Sequence, residues 1–429
     1  MTYLSALITQ PTIVFAIKPG VTQLKVRPSR YYSCRKGQSL MTVRRFRSAD
    51  VPDVNALHRR VWWPERSVQG WRWLEDNPAR QALSAPTGWV VEDANGGPAA
   101  FLGNFIQRFW IGERPLFGAT GFSVIVPPEQ KGRSRDLITT FLAQPGCALR
   151  YTLNANARSS PLYRKFGMVA WPTRTHAQKL SWIINPAACL YSRGLRALVA
   201  REPRAARWLG EQLMPPRRAA RPLESLTFAD GVTGLSDLSD SSPYARFWTA
   251  LRAQGRVTAD RSPAMMRWRL SDPDLTTTPL HLARRQDGEI TGHALALICK
   301  GNSIEPPTLE ILDLEALDRD RAAIPALVAA LLQIAPALGA AKVRLQVVTE
   351  STLHDLGALA LRARREGGWG HCHVAFAPDI ANAEDWRPTP FDGDYSFCVR
   401  PLPARPTAAT QQWFADKAAP TGPKAGALG

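Results

Sequence analysis

A chain of 429 residues is longer than one typical hydrophobic core can enclose, so two domains are expected. Its 45% hydrophobic and 21% charged residues describe a globular protein rather than a disordered or fibrous one. The apolar runs are all too short for a membrane-spanning helix. A net charge of +18, carried mostly by arginine, suits nucleic acid, an anionic membrane face or a phosphorylated ligand. Zinc-finger spacing, an RNA-binding signature and a long lysine-rich arm are all missing from the sequence, so no nucleic-acid partner is expected. The six cysteines (Cys34, Cys147, Cys189, Cys299, Cys372 and Cys398) are scattered without a C-x-x-C. That pattern argues against a disulfide framework or a structural zinc site. Free thiols in a reducing cytoplasm fit it best. His371-Cys372-His373 is a local metal-like cluster, but neighbours on a strand point to opposite faces, and no metal is expected.

Residues 1–40 hold six lysines and arginines and no acid. Two readings stand: a targeting segment, or sequence upstream of a natural start at Met41. The second is favoured and leaves 1–40 outside the fold. Thr42–Phe46 alternates as a strand. Ala49–Trp62 has helical spacing through Val51, Val54, Leu57 and Val61. Val68–Leu74 is a Trp-rich helical piece ending before Asn77-Pro78. Gly88–Glu92 and Ala99–Trp110 read as strands joined by the turn Asp93–Gly97, and Leu116–Val126 as a third. Next, P-P-E-Q-K-G-R-S-R-D-L-I leads from a strand into a helix, Arg135–Leu142. A helix N-terminus with Lys131, Arg133 and Arg135 around it suits an anion such as a pyrophosphate.

Ala148–Leu153 reads as a buried strand. Asn154 to Asn156 break it, since Asn side chains compete for backbone hydrogen bonds. Ser160-Pro161 opens a short helix and Gly167 ends it. His176–Ile184 reads as a last strand of this half. Residues 186–221 form a basic helical linker with an apolar stripe of Leu190, Tyr191, Leu195, Leu198 and Val199. Such a helix can touch an anionic membrane peripherally, but packing on a domain is the favoured reading.

Residues 222–400 repeat the plan faintly. A hairpin is expected over Leu280–Cys299 around Gln286–Glu289, a strand at Leu309–Leu314 and a helix at Arg321–Leu338. A strand at Lys342–Val348 and a helix at Ser351–Arg365 follow. Pro401–Gly429 is rich in proline and alanine, and disorder is expected there.

The strand, Asn-rich turn and short helix of Tyr151–Gly167 resemble the last motif of the GNAT superfamily of acyl-CoA-dependent N-acyltransferases. There the pattern runs N-x-x-A-x-x-x-Y-x-[KR]-x-G-[FM]. Asn154, Arg164, Lys165, Gly167 and Met168 fall in place around Tyr163. The strand, two helices and three antiparallel strands that precede it match the family's order. The basic loop is similar to the family's [QR]-x-x-G-x-[GA] pyrophosphate loop at Gly132 and at the small residue Ser134. Glu129 departs from it at the first position, unless Gln130 takes that place through a shifted loop.

The resemblance implies an α/β fold of two GNAT-like units, each a mixed, mostly antiparallel sheet flanked by helices. Residues 41–185 would be the acyltransferase unit and 222–400 a degenerate copy. It implies direct acyl transfer, with acetyl-CoA as donor, to a primary amine. Ser123, Val124, Ile125 and Val126 would hold the pantetheine arm. Lys131, Gly132, Arg133 and Ser134 would hold the pyrophosphate. Tyr163 would protonate the leaving thiolate, with Asn156 and Ser159 positioning it or the donor. His58 and Glu92 are candidates for the base, which stays unassigned. Asp313, Glu315, Asp318 and Asp320 stand where the second unit would need a phosphate loop, so no acyl-CoA is expected there. Trp386, Asp392 and Asp394 are candidates for lining the acceptor cleft. The tandem plan and Trp-rich helices resemble bacterial proteins of surface-polysaccharide synthesis, which suggests an amino sugar as acceptor. A non-catalytic acyl-CoA-binding or assembly protein of such a pathway is the alternative.

Overall fold

The computed structural model describes residues 43–61, 65–199, 201–213, 228–275, 277–300, 304–378, 380 and 383–395. The expectations for 1–40 and for 401–429 lie outside these residues. The first half runs β1 (Val43–Arg45), α1 (Val51–Val61), α2 (Val68–Glu75), α3 (Pro78–Leu83), β2 (Gly88–Glu92), β3 (Pro98–Ile111) and β4 (Arg114–Ile125). It continues through α4 (Ser134–Ala143), β5 (Leu149–Thr152), α5 (Ser160–Lys165), β6 (Val169–Ala170) and β7 (Gln178–Ile183). Helices α6 (Pro186–Val199) and α7 (Pro203–Leu213) bridge to the second half. That half contains β8 (Val232–Gly234), α8 (Pro243–Arg252), β9 (Thr258–Ala259), α9 (Pro263–Leu270), β10 (Leu280–Gln286), β11 (Glu289–Cys299) and β12 (Thr308–Ala316). It ends with α10 (Ala323–Ile334), β13 (Lys342–Leu345), α11 (Glu350–Leu356), α12 (Ala358–Arg362), β14 (Arg364–Gly367) and β15 (His373–Phe376).

Two mixed sheets flanked by helices result, as the expected α/β class requires. The first has the order β1-β2-β3-β4-β5-β15-β6, with β9 pairing β3. The second has the order β14-β7-β13-β12-β11-β10-β8. Each sheet carries one parallel pair, β4 with β5 and β12 with β13.

The sheets do not follow the two halves of the sequence. Strand β7, read from the sequence as the last strand of the first half, pairs with β13 and β14 in the second sheet. Strand β15, from near the end of the chain, pairs with β5 and β6 in the first. Alternation identifies a strand but carries no address for it. Leu180 and Trp182 of β7 find their burial beside Val343, Leu345 and the apolar face of α10.

Local differences have local causes. Helix α3 follows the Trp-rich helix directly, because the Asn77 side chain accepts the amides of Ala79 and Arg80 and Pro78 sits in the first turn. The single helix expected over 351–365 breaks at Gly357, which adopts φ +49°, and Arg364–Gly367 leaves it as strand β14. Among the described residues the linker forms two helices, α6 and α7. Leu195 and Ala206 close on Ile304, so the stripe is packed against protein, while Leu190 stays exposed.

Period-two alternation sorts the first sheet's faces. Ala100, Leu102 and Ile106 of β3 meet Leu137 and Phe141 of α4. Phe101 and Phe105 meet Val54, Leu57 and Trp71 from α1 and α2. A third core lies between the two sheets. There Phe109, Tyr151 and Leu153 pack with Leu295, Leu297, Leu312, Tyr244, Phe247, Trp386 and Phe391.

Inside this shared core sits a buried guanidinium. Arg261 donates to Asp313 of β12 at 2.8 and 2.9 Å, to Thr389 at 2.7 Å and to Asp392 at 2.8 Å. Asp313 lies in the expected strand, and β12 extends through Glu315, expected beside a loop of the second unit. Their carboxylates are held by Arg261 and Arg256. The repulsion expected of this acidic run is therefore largely neutralised by partners from a different segment.

Reciprocal strand exchange ties each half to the other's hydrogen-bond ladder. Thermal or denaturant unfolding should therefore give one transition, coincident by far-ultraviolet dichroism and tryptophan fluorescence. Two separable transitions would show that the halves fold independently. Arg261→Ala strands two buried carboxylates and should cost about 3–5 kcal/mol in urea unfolding, the usual penalty for breaking a buried ion pair. A cost under about 1 kcal/mol would place those charges in a solvated environment.

Candidate functional site

The site is built on β4 and on how it leaves β5. Glycines let aromatic rings press on the sheet here: a Cβ on Gly103 would meet the Phe122 ring at 2.4 Å, and one on Gly118 would meet Phe109 at 2.5 Å. Strands β4 and β5 pair in parallel at Gly118–Leu149, Ala119–Arg150 and Thr120–Tyr151. Among the described residues that pairing ends at Thr120. On the other edge, the β3–β4 register slips between Phe101 and Gly103, so Ser123 and Val124 face Leu102 alone. Ser123 takes φ +50° there. This is a β-bulge, which bends its strand and redirects its side chains. Beyond Thr120 the two strands are unpaired, which defines a wedge with Ser123–Val126 on one side and Thr152 and the loop after it on the other.

Ser123 has a partner. His58 of α1 sits with Nδ1 2.8 Å from the Val54 carbonyl and Nε2 3.0 Å from the Ser123 hydroxyl. A carbonyl only accepts, so Nδ1 carries the proton and Nε2 accepts from Ser123. Glu92, the other base candidate, is instead held by Arg44 at 2.5 Å, which also grips Asp50.

The basic loop is wound into short turns before α4. The amides of Gln130, Lys131, Arg133 and Arg135 bond the carbonyls of Pro127, Pro128, Gln130 and Gly132. Gly132 adopts φ +99° with open space where a Cβ would stand, so backbone approach by a ligand is unobstructed. Glu129 pairs with Arg60 of α1 at 2.6 Å, and Arg133 pairs with Asp136 at 3.2 Å. Lys131 is exposed and Ser134 opens the helix. The departure from the family pattern at Glu129 is thus absorbed by an ion pair to a neighbouring helix.

After β5 the chain makes an Asx turn. The Asn156 side chain accepts the amides of Arg158 and Ser159 at 2.9 Å, and the Ser159 hydroxyl accepts the Asn156 amide at 3.0 Å. These two residues therefore shape the loop. Ser160, expected as a capping hydroxyl, lies inside the helix and turns toward His373 at 3.5 Å. The amides it would have capped, those of Leu162 and Tyr163, are taken by the Ser159 carbonyl at 2.9 and 3.3 Å.

Tyr163 is buried in the small core of Ile138, Ala155 and Met168, with Val124 packed against it. Its ring lies 6.1 Å from that of His373 of β15. Burial, and then the negative charge of Asp394, push its phenol well above the usual value, opposed by a hydrogen bond with Thr152. Burial, followed by His176 and Arg164, holds His373 down at about 4, so the imidazole beside the phenol is neutral at pH 7.

The C-terminal candidates separate. Trp386 and Asp392 lie in the core between the sheets, where the Trp386 indole donates to Asp392 at 3.0 Å and Asp392 binds Arg261. They are tied to each other and to the fold. Asp394 is buried next to Tyr163. Thr152 and His373 escaped the sequence reading as site residues. His373 was visible only as part of His371-Cys372-His373. There the two ring nitrogens of His371 face the Gln346 and Trp369 carbonyls at 3.2 and 3.3 Å, away from His373's partners, and its single N–H can serve one of them.

No family model and no curated protein matches the chain. Solved structures similar to it include a GCN5-related N-acetyltransferase from Kribbella flavida, at 14% identity over 78% of this chain and 72% of that one, with a TM-score of 0.42. Another, from Anabaena variabilis, shares 13% identity over 78% and 72%, with a TM-score of 0.45. A third is a fungal multi-domain GH3 β-N-acetylglucosaminidase bearing a GCN5-related glucosamine N-acetyltransferase region. It shares 11% identity over 79% of this chain and 38% of that one, with a TM-score of 0.47.

Gly132→Trp combines a bulky side chain with a backbone angle that L residues rarely adopt, on an exposed loop. Calorimetry should show coenzyme A binding lost while the melting temperature stays within a few degrees. Equal affinity in variant and parent would remove this loop from the site.

Proposed function

We propose that the chain is an acyl-CoA-dependent N-acyltransferase that passes an acetyl group directly from acetyl-CoA to a primary amine. The observation that carries this reading is the wedge. One wall has the Ser123 bulge with His58 behind it, and the buried Tyr163 phenol lies by the other. The pantetheine arm would lie along Ser123–Val126, whose peptide groups lack a β5 partner and are available to the arm and to the thioester oxygen. The pyrophosphate would meet the Gly132 turn and the α4 N-terminus, with Lys131 and Arg133 adding positive charge.

In the transfer, the amine nitrogen attacks the thioester carbon. A C–N bond forms and the C–S bond breaks. The departing thiolate takes its proton from Tyr163, which its raised pKa keeps protonated throughout the neutral range. We assign the amine's proton to His58, reached through the Ser123 hydroxyl, because His58 Nε2 carries the lone pair that faces the bulge. Solvent then restores both groups. We propose an amino sugar as the first acceptor class to test, with Asp394 the C-terminal carboxylate nearest the transfer.

Tyr163→Phe keeps the packing and deletes the donor. Turnover should fall by roughly 10²–10⁴, the usual range for lost general acid catalysis, with acetyl-CoA affinity little changed. Parent-level turnover in that variant would mean that water or another group protonates the thiolate. Absence of turnover in the parent against a broad amine panel, with acetyl-CoA bound, would favour a binding protein.

A further inference from the structure

The second sheet carries a cavity that the acyl-transfer reading leaves unused. It encloses about 710 Å³ between α6 and the sheet face formed by β13, β7 and β14. Five cationic side chains face it, those of Arg193, Arg196, Lys342, Arg344 and Arg364, against one lining carboxylate, Glu366, while Arg365 stands opposite Leu180 on the other face of the strand. Period-two alternation sends Lys342 and Arg344 to this face, while Val343 and Leu345 go to the core beneath α10.

The neighbouring carboxylates do not balance the charge. Glu366 is shared by Lys342 at 3.6 Å and Arg344 at 4.0 Å, Glu310 takes Arg344, and Glu305 takes Arg196. Among the described residues, Arg193, Arg364 and Arg365 have no carboxylate within ion-pair distance. Lys342 is buried, and desolvation followed by the charge of Arg344 lowers its pKa. A buried ammonium among guanidinium groups is stabilised by an anion brought to it. Ser192 of α6 gives an independent sign. It is buried, lines the cavity, and its hydroxyl has no hydrogen-bond partner among the described residues.

Trp369 forms part of the lining. Its indole N–H donates to the Ala155 carbonyl at 2.9 Å, and the Lys179 ammonium stands 5.5 Å from the ring centre. The ring is therefore held in place with part of its surface open. A fixed aromatic surface beside arginines and a buried lysine matches a planar base joined to phosphates.

We propose that this cavity binds a nucleoside phosphate, its phosphates on Lys342, Arg193 and Arg364 and its base on Trp369. The wedge between β4 and β5 is a separate place, so the proposal stands whether or not the chain transfers acyl groups. Calorimetry on the full chain with ADP, ATP, pyrophosphate and acetyl-CoA tests it. The parent should bind ADP and ATP with an affinity that falls as salt rises. Substituting Arg193 and Arg364 together by alanine should weaken ADP at least about tenfold, as expected for loss of charged phosphate contacts, with the melting temperature kept. Trp369→Leu should weaken ADP and leave pyrophosphate unchanged. Gly132→Trp should leave ADP binding intact. No ADP or ATP binding at millimolar concentration, or equal ADP affinity in the double variant, would overturn the proposal. So would loss of ADP binding in Gly132→Trp, which would put the anion in the wedge. Pyrophosphate and ADP affected alike by Trp369→Leu would overturn the nucleoside part.

Discussion

The contact on which both sheets depend is the Arg261 guanidinium. It comes from the segment between β9 and α9, and β9 itself adds to the first sheet through β3. Its anionic partners belong to β12 of the second sheet and to the C-terminal turn around Asp392. The same turn receives the Tyr151 hydroxyl from β5 on the Asp392 carbonyl. One buried cation therefore fixes the segment around Asp392 against the strand that forms one side of the wedge. An isolated buried charge would be prohibitive, and two carboxylates together with Thr389 make it tolerable. This geometry also sets Asp394 near Tyr163, two residues after a carboxylate that cannot move.

The wedge follows from a second constraint. A parallel pair has no hairpin to hold its ends together, so β4 and β5 are free to diverge once packing asks it of them. The bulge at Ser123 turns β4 while Ile138 of α4, Tyr163 of α5 and Met168 just after α5 fill the space beneath. Fold and chemistry meet in Tyr163, whose ring supports the loop after β5 and whose hydroxyl is held by Thr152. The basic cavity obeys the same logic on the other sheet. There alternation divides β13 into an apolar face under α10 and a cationic face under α6.

The sequence by itself determined most of the elements and the local chemistry of the motifs. Hairpin turns marked β2, β3 and β10, and the 3.6-residue spacing gave α1 and α10, because these signals are written in neighbouring residues. The turn at Asp287-Gly288 was equally plain, since both residues take positive φ in the hairpin. The Asn-rich loop, the glycine before α4 and the buried tyrosine were legible for the same reason.

Tertiary structure alone decided which strand joins which sheet and which charges meet. Strands β7 and β15 cross between the halves because burial of Trp182 and Val374 depends on partners far away in the chain. Asp313 looked like part of an acidic run hostile to phosphate, and its pairing with Arg261, 52 residues away, makes it a core ion pair. Trp386 and Asp392 looked like substrate contacts until the fold bound them to each other and to Arg261. Period and propensity are properties of adjacent residues, whereas pairing, desolvation and the pKa shifts that follow belong to groups that only folding brings together.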